Sequence, residues 1–138
     1  MNLEVLIVDD DKMVLYYHRI MVEQSGLSKA PVLCMNGKEA LDHLLSRDAP
    51  SKIFCVLLDI NMPVMNGWEF LDQIARHKVS ERIFVVIVTS SIDKVDKQKA
   101  QSYPHVFDYL EKPITLEMLR KLKSSLLLDK LFSGSGDS

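Results

Sequence analysis

The sequence predicts one α/β domain, a parallel sheet with helices wound over both faces. Three observations predict it. Short apolar runs alternate with helix-periodic stretches five times along the chain. The runs are apolar throughout rather than every second residue, as in strands buried on both faces. The length of 138 residues suits one domain, and 47% hydrophobic residues supply a core without disulfides or structural metal.

The elements follow in order. Leu3–Val8 is the first strand, ending in three aspartates. Residues 13–24 carry helical spacing, with Val14, Tyr17, Ile20 and Met21 expected on the buried side and Tyr16 packed nearby; Gly26 supplies a stop. Residues 32–35 form the second strand. Asn36 caps a helix whose apolar stripe is Ala40, Leu41, Leu44 and Leu45. Ile53–Leu58 is the third strand, ending at Asp59, and a Pro/Gly-bearing loop from Asn61 to Gly67 leads into a helix over 68–77. Residues 83–88, with their Val-Val-Ile-Val run, are the fourth strand. A polar helix follows over 93–101, its charges forming a solvated face. Residues 106–110 are the fifth strand, and Pro113 breaks the chain. The last helix starts near Thr115, with Leu116, Leu119, Leu122, Leu126 and Leu127 as its apolar face. The domain is expected over residues 1–132; residues 133–138, Ser-Gly-Ser-Gly-Asp-Ser, have the composition of a flexible linker or a cloning scar.

Composition excludes several functions. Seventeen basic and 19 acidic residues give a net charge of −2, and no basic run marks a nucleic-acid surface. No apolar run reaches the ~20 residues that span a bilayer, and no leader precedes the first strand, so the protein is expected in the cytoplasm. Cys34 and Cys55 sit inside apolar runs without paired spacing and read as core residues in a reducing compartment. His18, His43, His77 and His105 lack metal spacing and read as packing or surface residues. No Gly-rich phosphate loop exists, which argues against ATP or NAD.

In an open parallel sheet the ligand crevice lies beyond the carboxyl ends of the strands. The residues that follow the strands here are Asp9, Asp10 and Asp11, then Asp59 and Asn61, then Thr89, Ser90 and Ser91, then Lys112 and Pro113. Singly each has a plain explanation: Asp11 or Asp10 as a helix cap, Asp59 as a turn former, Thr89 at a helix start, Lys112 in solvent. Together they place carboxylates, a hydroxyl and an ammonium at one sheet end. Several acids brought together need a proton or a cation. Oxygen donors without histidine or thiolate favour Mg²⁺. Added lysine and threonine donors complete a set suited to phosphoryl transfer, with Asp59 as nucleophile.

These residues resemble the response-regulator receiver family, including its single-domain chemotaxis type, over roughly residues 3–128. The resemblance rests on Val8-Asp9-Asp10, on the stretch Leu58-Asp59-Ile60-Asn61-Met62-Pro63-Val64-Met65-Asn66-Gly67, on Val88-Thr89-Ser90, and on Tyr109-Leu110-Glu111-Lys112-Pro113. It implies a flavodoxin-like strand order 2-1-3-4-5. It further implies that Asp59 accepts a phosphoryl group from a phosphohistidine of a sensor histidine kinase or phosphotransfer protein. Mg²⁺ would be held by Asp10, Asp59 and the Asn61 backbone carbonyl, with Asp9 assisting. Thr89 and Lys112 would bind the phosphoryl oxygens, and the Lys112–Pro113 bond would be cis. Tyr109 would switch with Thr89, while Asn61 and Ser91 would tune self-dephosphorylation. The output face would be the fourth helix, fifth strand and fifth helix, meeting a downstream protein or a phosphorylation-dependent dimer partner, with no direct contact to nucleic acid or membrane. With no output domain expected after residue 132, the domain signals by docking, relays the phosphoryl group, or belongs to a larger regulator.

One stretch departs from the family: Tyr103-Pro104-His105-Val106 stands where small Gly/Ala-containing segments are usual. Three rival readings are a docking-only pseudo-receiver, an aspartate-nucleophile phosphohydrolase and a flavodoxin-like electron carrier. The first is disfavoured by intact Asp59, Thr89 and Lys112. The second usually needs a second acid where Asn61 stands and has no room for capping insertions. The third would set three aspartates against the FMN phosphate.

Overall fold

The computed structural model describes residues 3–46, 52–77, 82–90 and 94–137. Five strands, β1 (Leu3–Val8), β2 (Val32–Cys34), β3 (Ile53–Leu58), β4 (Ile83–Thr89) and β5 (Val106–Glu111), alternate with five helices. These are α1 (Lys12–Ser25), α2 (Gly37–Ser46), α3 (Gly67–Ile74), α4 (Lys94–Gln101) and α5 (Leu116–Asp137). The strands are parallel and ordered β2-β1-β3-β4-β5. This is the doubly wound, flavodoxin-like arrangement that the resemblance implied.

The unbroken apolar runs are explained by two cores. Successive side chains of a strand point to opposite faces. Leu6, Val8, Phe54, Val56, Leu58, Val85 and Ile87 pack with Ala40, Leu44, Phe70, Leu71, Ile74 and Ala100 of α2, α3 and α4. Val5, Ile7, Cys55, Leu57, Val86 and Val88 pack with Leu15, Val22, Leu119, Leu122 and Leu126 of α1 and α5. Each fully buried Leu, Ile or Phe contributes about 2 kcal/mol by its removal from water. The two cysteines are free and buried in opposite cores, and burial pushes both thiols up to about 12, as suits packing residues.

Local signals set the helix ends. Asp11 caps α1, its Oδ1 accepting the Met13 and Val14 N–H groups at 2.9 and 3.4 Å. Gly26 ends that helix at φ 79°, a left-handed conformation open to glycine. Asn36 accepts the Glu39 N–H at 3.0 Å, and Asn66 forms a reciprocal capping box with Glu69.

Two expectations are corrected, on the α1 face and at the end of α3. The buried face of α1 is Leu15, His18, Val22 and Ser25, whereas Tyr16, Tyr17 and Ile20 are largely exposed. The helix is apolar on several sides, so hydropathy could not fix its rotation. Its buried serine is satisfied locally: Ser25 Oγ donates to Val22 O at 2.7 Å and accepts the Leu27 N–H at 3.2 Å. The α5 backbone is assigned helical to Asp137. The helix expected over 68–77 closes at Ile74. Residue 93, the expected start of the fourth helix, lies outside the described residues.

The departing 103–106 stretch has a defined geometry. Tyr103 stacks on Trp68 of α3 at 6.0 Å between ring centroids, and its hydroxyl donates to Asp72 Oδ1 at 2.7 Å. Lys99 Nζ lies 4.6 Å from the Trp68 ring centre. The bulky residues thus tie the entrance of β5 to α3, and the His105 carbonyl accepts the Val85 N–H at 3.0 Å beside a register shift between β4 and β5.

At the amino end of the sheet, Glu4 of β1 pairs with His43 and Lys52. Burial raises the Glu4 carboxyl, but hydrogen bonds and charge from His43 and Lys52 outweigh it and hold the group below its ordinary 4.5. Depression of a folded-state carboxyl gives stability that is full above the unfolded pKa and lost as pH falls through the folded one. Glu4→Gln should therefore flatten the acid limb of a urea-melt stability curve below pH 4.5. Superimposable curves for the two proteins would show that the trio adds no acid-sensitive stability.

Candidate functional site

The carboxyl ends of β1, β3, β4 and β5 meet in one place. The chain beyond β1 is held by Asp9 N–H to Cys34 O at 3.0 Å, and that beyond β3 by Asp59 N–H to Val8 O at 2.9 Å. These backbone bonds fix where the two carboxylates emerge. Asp9 and Asp59 are buried, 2% and 5% exposed, and Asp10 is exposed. Carboxylate oxygens of all three lie within 4.8 Å of one another. Lys112, following β5, reaches in with Nζ 2.7 Å from Asp9 Oδ2 and 3.4 Å from Asp59 Oδ1.

Asp9 Oδ1 accepts the Asp11 N–H at 2.9 Å, so both Asp9 oxygens have donors. Burial, and then the Asp9 charge, raise the Asp59 carboxyl above its ordinary value; Lys112 and the Asn61 N–H offset part of this. Burial works against the Lys112 ammonium, but Asp9 and Asp59 outweigh it and raise its pKa. Three carboxylates and one ammonium leave a formal charge of −3 + 1 = −2 in the cluster. A divalent cation would cancel that charge, and oxygen-only donors suit Mg²⁺. The residues present fit the ion.

Thr89 is the last residue of β4, 6% exposed, and its carbonyl accepts the Lys112 N–H at 2.7 Å. The Lys112–Pro113 bond is cis, as expected. Asn61 is exposed beside Asp59, and Tyr109 is half-buried against the core beneath α2, α3 and α4. Ser91 lies outside the described residues. Of the three successive aspartates, Asp9 and Asp10 join the cluster, whereas Asp11 is used by the α1 cap.

Two residues have structural roles that the sequence alone does not reveal. His18, one of four histidines scattered along the sequence, is 2% exposed and accepts the Ile114 N–H on Nε2 at 3.2 Å. Burial is the main cause holding its imidazole down at about 4, so the ring is neutral and can accept. The one available signal was its spacing of three from Leu15. The other is Gly67, where an added Cβ would lie 2.8 Å from the Asp59 carbonyl oxygen.

Comparison with known proteins identifies the family and the fold. The family described as the response regulator receiver domain matches residues 5–123. The chain belongs to the response regulator receiver family. This receiver domain is 31% identical over 123 residues to protein PilH of Pseudomonas aeruginosa, covering 89% of the chain and 96% of that protein. A two-component response regulator from Cytophaga hutchinsonii superposes with TM-score 0.77 at 29% identity, covering 91% and 96% of the two chains. A receiver protein from Dyadobacter fermentans gives 0.78 at 30% identity, covering 87% and 94%. The receiver domain is a signalling module of two-component type. Among its described residues no helix is long and apolar enough to cross a membrane.

Proposed function

We propose that the receiver domain takes a phosphoryl group onto Asp59 from a phosphohistidine of a sensor histidine kinase or phosphotransfer protein. The observation that carries this is the Lys112 ammonium bridging Asp9 and Asp59 beside a third carboxylate. An Asp59 carboxylate oxygen attacks phosphorus, the P–N bond to the donor imidazole breaks, and its electron pair returns to that ring. Lys112 then turns from Asp59 to the phosphoryl oxygens, and the Thr89 hydroxyl donates a hydrogen bond to them. Asp10, Asp59 and the Asn61 carbonyl, with Asp9 assisting, would hold Mg²⁺, which supplies charge neutralisation for the transferring group.

Phosphorylation puts about −2 charge at the site. Thr89 and Tyr109 shift in response and reshape the surface of α4, β5 and α5, where a downstream protein or a second copy docks. Asn61 and Ser91 set how readily water removes the group. The domain turns over only its own aspartyl phosphate, and it acts in the cytoplasm or as a relay within a larger regulator.

Acetyl phosphate with Mg²⁺ should add one phosphoryl group per chain, read by intact mass, and Asp59→Asn should abolish it. Equal labelling of the variant would sink the assignment. Mg²⁺ at ten times its Kd should add about 1.4 kcal/mol to unfolding stability. Asp10→Asn should erase that gain in a thermal melt; a gain of the same size in the variant would remove Asp10 from the metal site.

A further inference from the structure

A buried imidazole sits where the phosphoryl chemistry needs none. His18 of α1 is 2% exposed, and its Nε2 accepts the Ile114 N–H at 3.2 Å, joining positions 96 apart in the chain. Pro113 has no N–H, so the segment 112–114 offers two backbone donors. Both are committed. Lys112 N–H goes to the Thr89 carbonyl at 2.7 Å, and Ile114 N–H goes to His18. The first anchors the segment to β4, the second to α1.

Between these anchors the Lys112 side chain departs toward Asp9 and Asp59, at 2.7 and 3.4 Å. Ile114 is fully buried, so its N–H without an acceptor would be an orphaned buried donor, and the segment would shift to recover a partner. His18, Lys112 and Pro113 also line one groove with Met13, Val14 and Tyr17, which places the helix directly against the segment.

The geometry points to His18 as a positioning residue for Lys112: its ring acceptor holds the 112–114 segment against α1, and through it the ammonium over Asp59. This rests on Asp59 being the phosphoacceptor. His18 touches neither the carboxylates nor the transferring group in this role; it acts through the lysine. A residue that merely filled the core would influence folding without a specific dependence on Lys112.

The test follows the rate at which acetyl phosphate and Mg²⁺ label the full chain, read by intact mass, with a thermal melt of each variant. His18→Leu and His18→Phe keep apolar volume and remove the acceptor, whereas His18→Gln returns an amide oxygen near the Nε2 position. The acceptor-free variants should label about tenfold more slowly while folded, within the ~100-fold that an ångström of misplacement can cost. His18→Gln should stay within about twofold of the parent, and in a Lys112→Ala background the same changes should alter the rate less than about twofold. Should both apolar variants fail to fold, His18→Asn, whose amide is too short to reach Ile114, carries the same demand.

The proposal is overturned by folded acceptor-free variants labelling at the parental rate, by a glutamine variant as slow as the leucine one, or by an undiminished loss without Lys112. Parental labelling that depends on Asp59 keeps this outcome separate from the functional reading. A parent that takes no phosphoryl group sinks that reading and the proposal with it.

Discussion

Lys112→Met should cost the metal-free domain about 3 kcal/mol of unfolding stability at neutral pH, the low end of what breaking a buried ion pair costs. The low end applies because Lys112 keeps 17% of its side chain exposed and one acid can take up a proton. The variant leaves Asp9 and Asp59, 3% and 7% exposed at the side chain, facing each other without their shared cation. Asp59 already sits above its ordinary pKa through burial and the Asp9 charge, and loss of the ammonium drives it higher. Such a carboxyl binds its proton more tightly folded than unfolded, so the penalty is absent below the unfolded pKa and grows as pH rises through the folded one. The gap between variant and parent should therefore narrow as the solution is acidified toward the unfolded Asp value of about 3.9. Urea melts in EDTA across that range measure it. A gap independent of pH would mean that the lysine stabilises by packing rather than charge. Labelling by acetyl phosphate should fall about 100-fold, the scale for removing one preorganised donor from a developing charge.

That prediction depends on residues distant in sequence, and it shows which parts of the molecule were legible beforehand. The strands were readable because both faces of the sheet are covered, which removes polar positions from them. The site followed because a parallel sheet puts every carboxyl end on one edge, so Asp9, Asp59, Thr89 and Lys112 converge whatever the details of the helices. Asp11, Asn36 and Gly26 were readable because capping is local chemistry. The rotation of α1 was not, since Tyr17, Ile20 and Leu15 are all plausible core residues until the sheet is present. His18 is buried and meets a backbone N–H from residue 114, and its spacing from Leu15 hints at the burial but not at that distant partner. The Trp68–Tyr103 stack was hidden for the same reason: it is a contact between α3 and the β5 entrance, made by side chains 35 positions apart.

Gly67→Ala should be the most damaging single-methyl change among the glycines near the site. The need for glycine here is steric rather than conformational, because the positive-φ glycine is Gly26. A Cβ at 67 would lie 2.7 Å from Ile60 Cδ1, 2.8 Å from the Asp59 carbonyl oxygen and 2.8 Å from Ile60 Cα. The Ile60 methyl could swing aside, but the other two atoms are backbone. They cannot retreat freely, since Asp59 N–H is bonded to Val8 O at 2.9 Å and Ile60 O accepts the Gly67 N–H at 2.9 Å. Alanine's helix preference of about 1 kcal/mol does not offset an overlap of this kind. A loss of about 3 kcal/mol is expected, at the upper end for overpacking. It should lower the urea midpoint with the slope unchanged. The overlap is relieved only by parting α3 from the Asp59–Ile60 backbone, which moves the carboxylate relative to Lys112. Labelling should then slow about tenfold or more even where the variant is fully folded. Gly26→Ala is the control: its Cβ would meet only Lys123 Nζ at 3.2 Å, its cost of about 1 kcal/mol comes from the left-handed backbone, and labelling should be unchanged. If the two alanine variants prove equally stable and equally active, the close approach at residue 67 is not what seats Asp59.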